Sequence, residues 1–175
     1  MRKRTALCVT VVASLGVALI ATPAYAAPTD DTTVTIQING GSLAISAPDD
    51  DVAATPITAG VAAQSVAFEL GDVTVTDDIG GTAGWSASVI VDDFESATST
   101  LPIADATYTP GTVDQTGIIT VTATDSATLA TETTIATGTA ASGVNSAAWN
   151  PTVTVVVPAG ALAGTYTSTV THSVL

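Results

Sequence analysis

The sequence predicts an all-β protein, an antiparallel β-sandwich, and three observations carry that expectation. Apolar residues recur at every second position in short runs along the chain, the period of a half-buried strand. No run keeps a 3.6-residue apolar period through three turns of a helix. Thr makes up about one in five residues after position 26, and β-branched Thr and Val suit a pleated surface while losing χ1 freedom in a helix. Short alternating runs separated by turn residues point to two packed antiparallel sheets.

The first element along the chain is a leader rather than a strand. Arg2, Lys3 and Arg4 form a basic start, residues 6–21 are an apolar run, and Ala24-Tyr25-Ala26 is a small-x-small processing site. The run falls short of the roughly 20 residues a spanning helix needs. Cleavage is expected after Ala26, with Ala27 first in the secreted chain and a single domain over residues 27–175. Cys8, the one cysteine, leaves with the leader. The secreted chain then has no disulfide or thiol chemistry. Leu101-Pro102-Ile103-Ala104-Asp105 is internal and makes a poor sorting signal, so any attachment to a cell surface is expected to be non-covalent.

The strands follow in order. Val34-Thr35-Ile36-Gln37-Ile38 and Ser42-Leu43-Ala44-Ile45-Ser46 flank Asn39-Gly40-Gly41, which reads as a hairpin because Asn-Gly supplies the positive φ angles of a tight turn. Alternation recurs at Val66/Phe68/Leu70, Val73/Val75, Trp85/Ala87/Val89/Val91, Ile119/Val121/Ala123 and Val153/Val155/Val157. It ends with Tyr166/Ser168/Val170/His172/Val174. The Ala/Thr/Ser/Gly stretch over residues 126–146 has no such pattern and reads as a weakly ordered excursion or a pair of irregular strands. One unit of this size buries about 68–70% of its unfolded surface, around Val, Ala, Ile and six aromatics (Phe68, Trp85, Phe94, Tyr108, Trp149, Tyr166).

Charge excludes whole classes of function. Removing the first 26 of 175 residues leaves 149 and takes away all three cations, so the side-chain charge moves from −13 to −16. Such a chain holds neither nucleic-acid phosphates nor an anionic lipid surface by charge pairing. With one His and no Cys, Lys or Arg after residue 26, thiol nucleophiles, Schiff-base lysines and arginine clamps are excluded as well. A Ser-His-Asp triad would need His172, and no Gly-x-Ser-x-Gly elbow accompanies it. Paired carboxylates for glycan hydrolysis stay formally open, but the expectation is that the protein is not an enzyme and needs no cofactor. Asp49-Asp50-Asp51, Asp77-Asp78 and Asp92-Asp93 are turn acids that pooled could serve Ca²⁺, though none follows an EF-hand loop. Soluble acidic loops are the simpler reading.

Three segments together carry a resemblance. They are Leu70 to Asp77 with Gly84-Trp85-Ser86-Ala87 after it, Trp149-Asn150-Pro151-Thr152-Val153 leading to Val157-Pro158-Ala159-Gly160, and Ala163 to Val174. The arrangement resembles the WxL domain of Gram-positive secreted surface proteins, which attach non-covalently to the cell wall through peptidoglycan. That family carries a Trp-x-Leu motif in its middle and Tyr-x-x-x-Leu-Thr-Trp-x-Leu at its end. Here Ala87 stands for the first Leu, His172 for the second Trp, and Val170 and Val174 for the later Leu residues. The resemblance spans roughly residues 32–175 and implies wall binding through Trp85, Tyr166, Val170 and His172.

The strand period places these side chains. Trp85 shares a face with Ala87, Val89 and Val91, so core packing is expected of it ahead of sugar stacking. Thr165, Thr167, Thr169 and Thr171 mark the solvent side of the last strand, which turns His172 inward as a hydrogen-bonded core histidine. Imidazole and indole are both flat rings with an N–H that wants one buried acceptor. The expected function is a secreted, non-catalytic module of the cell surface or wall, whose partner is peptidoglycan or another secreted surface protein. The alternative is a self-assembling or partner-binding structural subunit that adds an exposed strand to a sheet edge.

Overall fold

The computed structural model describes Asp30 and residues 32–48, 51–126 and 128–175. The chain divides into two compact units, Met1–Ile36 and Gln37–Leu175, and among the described residues every strand lies in the second. The expected leader and processing site lie outside the described residues, as do Asp49 and Asp50. Among the described residues no helix is long and apolar enough to cross a membrane.

The fold is all-β and every strand pairing is antiparallel. The strands are β1 (Leu43–Ser46), β2 (Gln64–Glu69), β3 (Val73–Asp77), β4 (Trp85–Val91), β5 (Phe94–Glu95) and β6 (Thr100–Leu101). They continue with β7 (Thr107–Thr109), β8 (Val113–Ala123), β9 (Thr133–Trp149), β10 (Thr152–Val157) and β11 (Val170–Val174). A large sheet holds β1, β3, β9, β4 and β11 with β8 also on β9, a second sheet runs β2-β10-β7, and β5 pairs β6. Together they form a nearly closed sandwich.

The large sheet is organised around β9. Strand β8 follows one edge of it from Val113↔Trp149 to Ala123↔Ala136. Along the other edge β3 pairs residues 145–149 and β4 pairs residues 133–138, so β3 and β4 lie in line, joined by the loop 78–84. Strand β9 passes that loop with Ala140 at φ 53° and Gly143 at φ 74°, a local kink that lets one strand serve two neighbours. Flanking this rank, β1 pairs β3 and β11 pairs β4. The core runs through Val73, Val75, Trp85, Ala87, Val89 and Val91 to Tyr108, Ile135, Trp149 and Val153.

Most predicted strands form where alternation placed them, and three expectations are corrected. The hairpin over residues 34–46 is not made. Residues 34–38 belong to no strand, and β1 pairs β3 instead. The glycines serve close approach rather than a turn: Gly41 N donates to Asp78 O at 2.6 Å, and a Cβ on Gly40 would strike the Ile79 carbonyl. The stretch 126–146 is not a loose excursion, because residues 133–146 open β9, the longest of the described strands and the centre of the large sheet. The last strand begins only at Val170, with Thr167 making an isolated bridge to Glu95 ahead of it.

Candidate functional site

Both tryptophans are core residues, each anchored by a polar relay. Trp85 is 4% exposed and Trp149 2%, so neither indole offers a face for stacking. Trp85 opens β4 where β4 and β3 meet along β9, and its Nε1–H donates to Asn145 Oδ1 at 3.3 Å. Asn145 Nδ2 donates in turn to Asp77 Oδ2 at 2.9 Å, and the Ile79 amide donates to Asp77 Oδ1 at 3.1 Å. Asp77, read from sequence as a turn acid, is thus buried at the end of β3 and occupied by structural bonds. A buried carboxylate must have such partners to avoid a heavy desolvation cost.

The second relay crosses the core between the sheets. Trp149 Nε1–H donates to the Tyr108 hydroxyl at 3.0 Å. That hydroxyl lies 3.0 Å from His172 Nε2 and donates its own proton there when the neutral imidazole carries its hydrogen on Nδ1. Tyr108 and His172 meet edge to face with ring centroids 5.7 Å apart. Burial pushes the Tyr108 phenol well above its usual range, so it stays a protonated donor. Burial likewise lowers the His172 pKa to about 4, so the ring is neutral at physiological pH. Its Nδ1 is buried with no hydrogen-bond partner among the described residues. Placing His172 inward on the last strand agrees with the sequence pattern, and its hydrogen bond with Tyr108 is the new fact.

The open surface lies elsewhere along the same motif. Asp92, Asp93, Glu95, Thr167, Ser168 and Thr169 line a shallow groove of about 500 Å³. Backbone bonds fix its walls: Asp92 N to Thr169 O at 3.1 Å, Glu95 N to Thr167 O at 2.8 Å and Thr167 N to Glu95 O at 2.9 Å. Ser168 Oγ donates to Asp92 O at 2.6 Å. One Asp93 oxygen accepts the Ile103 amide at 2.8 Å. Asp92 and Glu95 keep exposed carboxylates beside the Thr167 and Thr169 hydroxyls. Tyr166 and Val170 bracket residues 167–169: Tyr166 is half-buried with its hydroxyl donating to Leu162 O at 2.9 Å, and Val170 packs against the core. The four residues implied by the resemblance are therefore not one surface. Trp85 and His172 belong to separate relays, Val170 packs against the core, and Tyr166 bonds Leu162, so none of the four lines the groove.

A further anchor holds β11 from outside. Glu132 accepts from Ser88 Oγ at 2.6 Å and from Ser173 Oγ at 2.9 Å, and these two bonds hold its carboxyl below the usual range. Sequence reasoning missed Tyr108, Asn145 and Glu132 as partners, since their roles exist only after β7, β9 and β11 come together. The one available signal was Thr107-Tyr108-Thr109 before Pro110, a polar-aromatic-polar alternation. Among the described residues no three His, Cys, Asp or Glu are placed to hold a metal ion. In comparison with known proteins, no family model, no curated protein and no solved structure matches the chain.

Proposed function

We propose that the chain is a secreted, non-catalytic module of the cell surface, retained at a cell wall by non-covalent contacts as WxL domains are. The observation that supports this reading is the groove where Thr167 and Thr169 of the C-terminal segment set exposed hydroxyls beside the exposed carboxylates of Asp92 and Glu95. Hydroxyls and carboxylates are the groups that exchange hydrogen bonds with sugar hydroxyls and peptide amides. The buried indoles take no part in that contact and serve the core. With every side-chain cation confined to residues 2–4, the surface is repelled by wall phosphates unless divalent cations bridge the two. Wall retention is therefore cation-dependent, with Asp92 and Glu95 giving part of the coordination and the wall the remainder.

The test is co-sedimentation of the purified protein with isolated wall, in Ca²⁺ or Mg²⁺ and then in chelator. The expected result is pelleting that chelator reduces and that the double variant Asp92→Asn, Glu95→Gln loses while keeping its circular dichroism. No pelleting in either condition sinks the proposal.

A further inference from the structure

Residues 34–38 carry the cleanest strand pattern that the fold leaves unused. Val34, Ile36 and Ile38 are 78%, 82% and 91% exposed, alternating with Thr35 and Gln37. Residues 32–40 make no backbone hydrogen bond among the described residues. The chain is pinned immediately afterwards, where Gly41 N donates to Asp78 O and Asp78 N donates to Ser42 O. Three β-branched aliphatics at alternate positions, on a backbone with no backbone hydrogen bond among the described residues, carry the pattern of a strand whose partner is not within those residues.

We infer that the occupant is the same segment of a second copy, paired antiparallel about a two-fold axis through Ile36. Reversed about that residue, the segment matches itself on both faces. Val34 falls opposite Ile38 and Ile36 opposite Ile36, while Thr35 falls opposite Gln37 and Thr33 opposite Asn39. Aliphatic thus meets aliphatic and polar meets polar, the self-complementarity a two-fold interface demands. Charge points to the same place. After Arg4 the chain carries carboxylates and no cation, so copies repel one another over most of their surface. Residues 32–48 hold no ionisable side chain, and in this register Asp30 and Asp31 fall beyond the paired residues, opposite Ser42 and Gly41 rather than each other. The pairing stands independently of wall binding, since it uses neither the groove nor the motif.

The experiment is light scattering of the full chain, expressed with its leader, over a wide concentration range. It is joined by cysteine cross-linking in a Cys8→Ser background. The wild type is expected to pass from monomer to dimer with concentration, and Ile36→Asp, which sets two carboxylates face to face at the axis, to remain monomeric with unchanged thermal stability. Ile36→Cys is expected to oxidise to a disulfide dimer, because only the residue on the axis meets its own copy. Val61→Cys, fully exposed but away from the axis, is expected not to. A wild type monomeric at every concentration, a dimer that survives Ile36→Asp, or an Ile36→Cys that cross-links no faster than Val61→Cys would each overturn the inference.

Discussion

The Tyr108 hydroxyl serves two partners at once, accepting from Trp149 and facing His172 Nε2, and this makes His172 sensitive to acid. A protonated imidazole carries a proton on both nitrogens, so Nε2 can no longer accept from Tyr108, and its charge sits where burial disfavours it. No salt bridge to His172 forms among the described residues, and the group facing it is the neutral phenol of Tyr108. The folded pKa is about 4 against the usual 6.5, so between those values the unfolded chain binds the extra proton and the folded one does not. Stability is then complete above pH 6.5 and is lost as pH falls toward 4. The full shift corresponds to at most about 3 kcal/mol, of which about 2 kcal/mol is gone by pH 5. Urea denaturation at pH 7.5 and pH 5 measures it directly. The midpoint is expected to fall in the wild type and to change much less in His172→Gln; equal changes in the two would assign the loss to other groups. The inward side of His172 was legible from the threonines around it, whereas its partner was not. Tyr108 lies 64 residues away in sequence and is joined to it only through the packing of the two sheets.

Strand β9 shows why composition misleads at the level of an element. Its sequence is poor in large apolar residues because it lies beneath large neighbours, not because it is loose. A Cβ on Gly138 would come within 2.6 Å of both Trp85 Cε2 and Ile119 Cδ1, so the absence of a side chain there makes room for the indole. Low complexity and centrality in the sheet have one cause: small residues in β9 let β3, β4 and β8 deliver the bulky ones. The reverse error occurred at residues 34–46, where alternation and Asn-Gly described a hairpin but the glycines were needed against Asp78 and Ile79. Local pattern identifies a strand well and its partner poorly, because pairing is decided by contacts remote in sequence. Gly138→Ala is accordingly expected to cost roughly 1–3 kcal/mol by overpacking, with a shift in Trp fluorescence. Gly81→Ala, in the neighbouring loop with only Ile79 Cγ2 and Ala83 N at 3.8 and 3.9 Å, is expected to stay within about 0.5 kcal/mol of wild type. Similar losses in the two variants would refute the packing role given to Gly138.

At the scale of the whole molecule, one-sided charge makes the response to salt unusually simple. In most proteins added salt weakens attractive ion pairs and repulsions together, and the net effect has no predictable sign. Here the three cations all lie within the first four residues, against 16 carboxylates in the remainder of the chain, and the strand-forming unit Gln37–Leu175 contains no Lys or Arg at all. Within that unit screening acts on repulsion alone. The folded state concentrates those charges more than the unfolded chain does, so self-repulsion opposes folding and its relief favours the compact state. The melting temperature at neutral pH is therefore expected to rise steadily with NaCl and to level off as the screening length falls from about 10 Å at 0.1 M toward about 3 Å at 1 M. Chloride is a weak enough salting-out anion to keep surface-exclusion effects from dominating the trend, and replacing Na⁺ by a larger monovalent cation at equal ionic strength should leave the curve unchanged. Mg²⁺ or Ca²⁺ at matched ionic strength separates two cases. A rise equal to that in NaCl means screening only, and a larger rise, lost in the double variant Asp92→Asn, Glu95→Gln, means that the groove carboxylates hold the cation. A melting temperature that is flat or falls with NaCl would contradict the premise that uncompensated carboxylates strain this fold.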